Sequence, residues 1–140
     1  MRNLFMAMMA TLVLAGCSAS GPLFTDLETP AEDESIIYYL RAKHYTGSGV
    51  FYTIHENGKP VTTLKNGGYY PHHTTPGDKH IEASTESTSE LDITAEKGKR
   101  HYVYGDISWG IIMGRPELRE IDEEEALRYL RGCRLLPKAE

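Results

Sequence analysis

The sequence predicts an all-β chain, an antiparallel β-sandwich of seven to eight strands with a short C-terminal α-helix. Three observations carry this. Short runs rich in β-branched and aromatic residues recur from Ser35 to Trp109. Turn signals separate them roughly every 8–12 residues, the spacing of sandwiches and small barrels. A helical period emerges only after Asp122.

The first run, Ile36-Ile37-Tyr38-Tyr39-Leu40, is of strand length and has no polar partner face. Val50-Phe51-Tyr52-Thr53-Ile54-His55 alternates, with Val50, Tyr52 and Ile54 on one face. Asn57-Gly58 then leads into Pro60-Val61-Thr62-Thr63-Leu64. Asn-Gly between two such runs predicts a hairpin, because both central residues of a type I′ turn need positive φ. Asn66-Gly67-Gly68 is a turn before Tyr69-Tyr70, and Thr75-Pro76-Gly77-Asp78 is another. His80 to Ser84 alternates, with Ile81 and Ala83 inward, and Glu90 to Ala95 alternates as cleanly. His101 to Trp109 places Val103, Ile107 and Trp109 on one face, opposite Tyr102, Tyr104 and Asp106. The segment from Trp109 to Leu118 reads as a glycine-hinged apolar loop. Asp122 then caps a helix whose first turn is acidic and whose last turn is basic, with Gly132 as its stop. Together these predict a sandwich of the immunoglobulin/transthyretin-like type.

Upstream of the domain, Arg2 is the only charged residue before an apolar stretch that ends in Leu14-Ala15-Gly16-Cys17. The layout is that of a secretory signal, and about twelve apolar residues are too few to span a bilayer of roughly 30 Å. The Leu-Ala-Gly-Cys ending resembles the lipobox of bacterial lipoproteins. That resemblance implies cleavage after residue 16 and covalent diacylglycerol and N-acyl lipid on Cys17. Ser18 and Ala19, with no Asp after the cysteine, resemble outer-membrane sorting signals. Three parts follow: a signal at 1–16, a lipidated cysteine with an acidic flexible tether at 17–34, and the sandwich domain at 35–140. Phe24 and Leu27 are the tether residues suited to docking on the domain.

The formal charge is −5, and loss of Arg2 with the signal takes it to −6. That balance argues against nucleic acid as a partner. With Cys17 lipidated, Cys133 has no partner in the chain, and burial beside the helix is its expected state.

The order of elements also resembles the small bacterial lipoproteins with the domain of unknown function numbered 2846, and PEGA-like β modules. The matching pieces are Asn57-Gly58-Lys59, Lys65-Asn66-Gly67-Gly68-Tyr69, Pro76-Gly77-Asp78-Lys79-His80-Ile81, Glu96-Lys97-Gly98-Lys99 and Gly114-Arg115-Pro116-Glu117-Leu118. The resemblance implies an envelope lipoprotein and supplies no catalytic residues.

Enzymatic motifs are lacking. Gly47-Ser48-Gly49 and Ser108-Trp109-Gly110 do not make a G-x-S-x-G elbow, and Cys133 lies in a poor place for a nucleophile. The sequence therefore predicts a non-catalytic envelope lipoprotein that binds a protein partner or serves as a structural accessory. Its candidate contacts are Trp109, Ile111, Met113 and Arg115, with Tyr102 and Tyr104 as an exposed aromatic strip. The alternative is a small-ligand or metal-binding module in which His72, His73 and His80 converge across one turn. Adjacent strand residues point to opposite faces, which weighs against His72 and His73 acting together.

Overall fold

The structure is a computed structural model that describes residues 18–110 and 114–140. Among the described residues the chain forms a two-sheet β-sandwich with nine strands and one short helix. The strands are β1 (Ser35–Arg41), β2 (Tyr52–Glu56), β3 (Lys59–Leu64), β4 (Gly68–Thr74), β5 (Gly77–Ser84), β6 (Thr88–Ala95), β7 (Arg100–Trp109), β8 (Gly114–Ile121) and β9 (Arg134–Leu135). Helix α1 (Glu123–Leu130) lies between β8 and β9.

One sheet has the order β3-β2-β5-β6 and is antiparallel throughout. Its β2–β3 hairpin turns at Asn57 and Gly58, both at positive φ (48° and 80°), as a type I′ turn requires. The other sheet has the order β8-β7-β1-β4-β9 and is mixed. Strand β1 pairs antiparallel with β4 but parallel with β7, and β9 pairs parallel with β4. Pro60 and Pro116 lie on the edge strands β3 and β8, where a missing N–H costs no ladder bond.

The parallel pairing places β1 at the centre of its sheet, and every residue of it is buried. Its two faces meet different layers. Ile37 and Tyr39 pack with Val103 against Ile54, Leu64 and Ile81 of the second sheet. Ile36, Tyr38 and Leu40 pack with Tyr102 and Tyr104 beneath Ala126 and Leu130 of α1. A strand covered on both sides reads as a continuous apolar run, which is how residues 36–40 read in the sequence.

The second layer is completed by the N-terminal segment. Residues 18–34, expected as a flexible tether, run along the domain as a strap. Phe24 meets Tyr69 edge-on at 5.5 Å, and Leu27 joins it over the buried tyrosines. The Phe24 N–H donates to the Cys133 carbonyl (2.9 Å), and the Glu28 N–H donates to the Tyr38 hydroxyl (2.7 Å).

Helix α1 is as short as expected. Asp122 caps it by accepting the Glu125 N–H at 2.8 Å, and three glutamates occupy its first turn. The chain beyond it forms β9. Residues 114–118, expected in a loop, belong to β8 and pair with β7 from Trp109↔Gly114 to Gly105↔Leu118.

Candidate functional site

Strand β1 ends at Arg41, and its parallel neighbour β7 continues well past that level to Trp109. Residues 42–51 fill the space at this end of the sandwich. Their anchor is Arg41, which is 2% exposed and donates to the carbonyls of Val50 and Gly47. Gly47 takes a φ of 78°, which a side chain would oppose. Burial pushes the Arg41 guanidinium down from its ordinary range, while Tyr52, Asp106 and Tyr104 act in the other direction. A guanidinium stays charged under such pressure, so the loop is folded around a fixed cation.

The result is an open cleft of about 310 Å³ lined by Arg41, His44, Tyr45, Thr46, Asp106, Ile107 and Trp109. Tyr45 is 99% exposed and Trp109 is 64% exposed. The floor is rigid. The Tyr52 hydroxyl donates to the Asp106 carbonyl at 3.0 Å, and the Ile107 N–H donates to the Asp106 carboxylate at 2.8 Å. The His44 N–H donates to the Asn66 side chain at 2.9 Å, tying the loop to the β3–β4 turn. Two aromatic faces, a cation and a carboxylate suit docking of a partner surface.

The described chain also begins at this end. Ser18 bridges Asn66, and the Ala19 N–H donates to the Asn66 carbonyl at 3.2 Å. Leu23 bridges Arg134, which pairs with Gly68, itself opposite Arg41. Phe51 directly precedes β2, whose first residue, Tyr52, reaches Asp106. Of the large apolar side chains exposed among the described residues, Tyr45 and Trp109 line this cleft, whereas Phe51 lines a separate hollow with Thr53, His55 and Pro60 on the β2–β3 hairpin.

Two expected contacts are overturned. Tyr102 and Tyr104 are 3% and 2% exposed, not an outward strip. Helix α1 and the strap cover their face: Tyr102 stacks on Tyr38 at 5.5 Å, and Tyr104 meets Tyr129 at 4.6 Å. Burial pushes the Tyr104 hydroxyl up to about 12. Arg115 lies on β8 and pairs with Glu86 at 3.1 Å. Ile111, Met113 and Cys17 lie outside the described residues.

The three histidines do not converge. The Thr75–Pro76 turn carries the chain from one sheet to the other, so His72 and His73 on β4 are separated from His80 on β5. The His72 Nε2 lies 3.2 Å from Glu56, whereas His73 meets Glu34 at 2.8 Å and Glu28 at 3.5 Å. His80 faces outward among Asp92, Glu82 and Glu90. Hydrogen bonds to Asp92 and then to Glu82 raise its imidazole to about 9. Cys133 is buried, with its thiol donating toward the Tyr129 carbonyl at 3.2 Å.

Sequence reasoning passed over Arg41 and Tyr45. The available signal was an unpaired aromatic within the polar, glycine-rich stretch Lys43 to Gly49. It also passed over the carboxylates around His80, although the alternation of β5 and β6 places all of them outward. No protein family, curated protein or solved structure matches the chain.

Proposed function

We propose that this chain is a lipid-anchored envelope protein, on the outer membrane and facing the periplasm, that works as a non-catalytic partner-binding module. The observation that supports it is the pair Tyr45 and Trp109, exposed on either side of a cleft whose Arg41 wall is fixed by backbone carbonyls. Tyr and Trp are among the side chains that dominate binding energy at protein interfaces, and the buried Arg41 holds the loop that carries Tyr45. Lipid on Cys17 would be attached one residue before Ser18, which is paired to the domain at this same end. No free spacer then separates the cleft from the bilayer, so the partner is a protein embedded in or lying on that membrane.

Crosslinking the intact protein in its native envelope tests this, with unlipidated Cys17→Ser as the control. One dominant partner should be captured by the wild type and fade with Trp109→Ala or Tyr45→Ala at unchanged folding. Equal recovery from wild type and both variants would refute the docking end.

A second reading has its own support. The exposed Trp109 and Tyr45 suit a membrane interface, where one edge of a ring is wet and the other apolar. In that case the cleft end rests on lipid itself. Quenching of Trp109 by a quencher held within protein-free vesicles would favour this reading over a protein partner.

A further inference from the structure

The outward face of the β5–β6 pair carries an arrangement that the docking end does not use. His80 and Glu82 alternate on β5, and directly across on β6 stand Asp92 and Glu90, in the register His80↔Asp92 and Glu82↔Glu90. The two ring nitrogens of His80 have different neighbours. Nδ1 lies 2.6 Å from Asp92, whereas Nε2 lies 2.9 Å from Glu82 and 3.5 Å from Glu90.

The charges are poorly balanced by protein alone. Among the described residues, His80 is the only ion-pair partner of these three carboxylates, and even a protonated imidazole offers one positive charge against three negative ones. Glu82 and Glu90 are also direct cross-strand neighbours. Like charges so placed are destabilising. A local rule of sheet pairing is thus broken on a face where any neutral polar residue would serve, and such violations concentrate at functional sites.

We propose that His80, Glu82 and Glu90 bind a divalent transition-metal cation, with Zn²⁺ as the fitting choice, and that Asp92 orients the ligand ring. One imidazole with two carboxylates suits Zn²⁺, which takes both donor types. The donor atoms of His80, Glu82 and Glu90 lie within 4.8 Å of one another. A tetrahedral ion with bonds of about 2.0–2.1 Å needs donors roughly 3.3 Å apart, a contraction within reach of glutamate rotamers on an open sheet face. Nε2 is the nitrogen turned toward both glutamates, so it is the ligand atom. Nδ1–H then donates to Asp92, the carboxylate–histidine–metal relation that fixes tautomer and ring orientation. Three protein ligands leave one position for water or an incoming anionic group. His72 and His73 take no part.

The test adds Zn²⁺ alone to metal-stripped, detergent-solubilised full-length protein and follows binding by calorimetry. The expected result is one ion per chain, weakened at least about tenfold by Glu82→Gln or Glu90→Gln. Asp92→Asn should keep the stoichiometry and weaken binding by about 10- to 100-fold, as loss of an orienting carboxylate does. His72→Gln and His73→Gln should leave binding unchanged. In EDTA, Glu90→Gln should melt no lower than wild type, since it relieves the like-charge pair and leaves the shorter His80 bonds to Asp92 and Glu82 in place, and zinc should raise the melting temperature of the wild type alone. Failure to bind one ion per chain, or binding that survives both glutamine variants, overturns the proposal.

Discussion

The hydroxyl of Tyr39 donates to the carboxylate of Glu56 at 3.0 Å, joining β1 of one sheet to β2 of the other through the interior of the sandwich. The same carboxylate accepts from the Thr74 hydroxyl at 3.0 Å and meets His72 at 3.2 Å. Burial pushes the Glu56 carboxyl up, but the hydrogen bonds and charge of His72, with the Tyr39 and Thr74 hydroxyls, outweigh it and hold the group below its ordinary range. Glu56→Ala should therefore cost about 3 kcal/mol, because it strands the buried Tyr39 hydroxyl and takes from His72 and Thr74 their partner on the facing sheet. Because the folded-state value is lowered, this contribution is complete above the ordinary 4.5 and is lost as pH falls through the folded value. Thermal unfolding between pH 7 and pH 3 checks it: the gap between wild type and Glu56→Gln should narrow only in the acid limb.

The strap has a pH window of its own. The hydrogen bond to Glu34 raises His73, while Glu34 is lowered by the Ala31 N–H and then by His73. The histidine's contribution is full below its unfolded value near 6.5 and fades as pH rises through the raised one. The carboxylate's contribution is full above 4.5 and fades as pH falls through the lowered one. Both act together between 4.5 and 6.5. The pair is largely exposed and screened by solvent, so its effect on global stability should be small and its readout local. Limited proteolysis within residues 18–34 should slow in that window and quicken on either side. His73→Ala should flatten the alkaline side of the dependence.

Cys133 should behave as a reporter of unfolding. It is fully buried, and loss of hydration pushes its thiol up to about 12. Thiolate is the reactive form, so the native thiol should resist a disulfide reagent at pH 8. Labelling in denaturant should follow the unfolding transition. Rapid labelling of the folded protein would contradict the packing of the α1–β9 junction.

The fold was legible where local chemistry decides it. Asn57-Gly58, the Ile81/Ala83 alternation and the Asp122 cap each carry their own geometry. The mixed sheet was not legible, because nothing in residues 36–40 says that their neighbour is the remote β7 or that it runs parallel. The same gap misplaced Tyr102 and Tyr104. Alternation puts them opposite Val103 correctly, but only the path of the strap and α1 shows that the opposite face is covered too. Gly114 read as the hinge of a loop, whereas it and Gly105 each permit close approach. A Cβ at Gly105 would come within 2.6 Å of the Tyr52 hydroxyl, and one at Gly114 within 2.5 Å of Ile107. The turns behind the resemblance to small lipoproteins recur in many sandwiches, since they are set by positive-φ requirements. In the cleft, Arg41 ends a buried strand, and only the loop folded back onto it gives it a role.

Trp109 is the only tryptophan of the chain, which makes the docking end directly observable. At 64% exposure its indole should emit far to the red for a folded protein and be open to a soluble quencher. Transfer to an apolar contact should shift the emission to the blue and close that access, whether the contact is protein or lipid. Tyr45→Ala should leave the free spectrum unchanged, because Tyr45 stands fully in solvent, yet it should weaken the blue shift on binding if both rings grip one surface. Arg41→Lys should do more. A lysine lacks the planar fork that holds the Val50 and Gly47 carbonyls together, so residues 42–51 should loosen and Tyr45 should lose its place beside the cleft. Hydrogen exchange across 42–51 should then rise while β1 and β7 stay protected. If that exchange stays unchanged in Arg41→Lys, Arg41 is not what holds the wall.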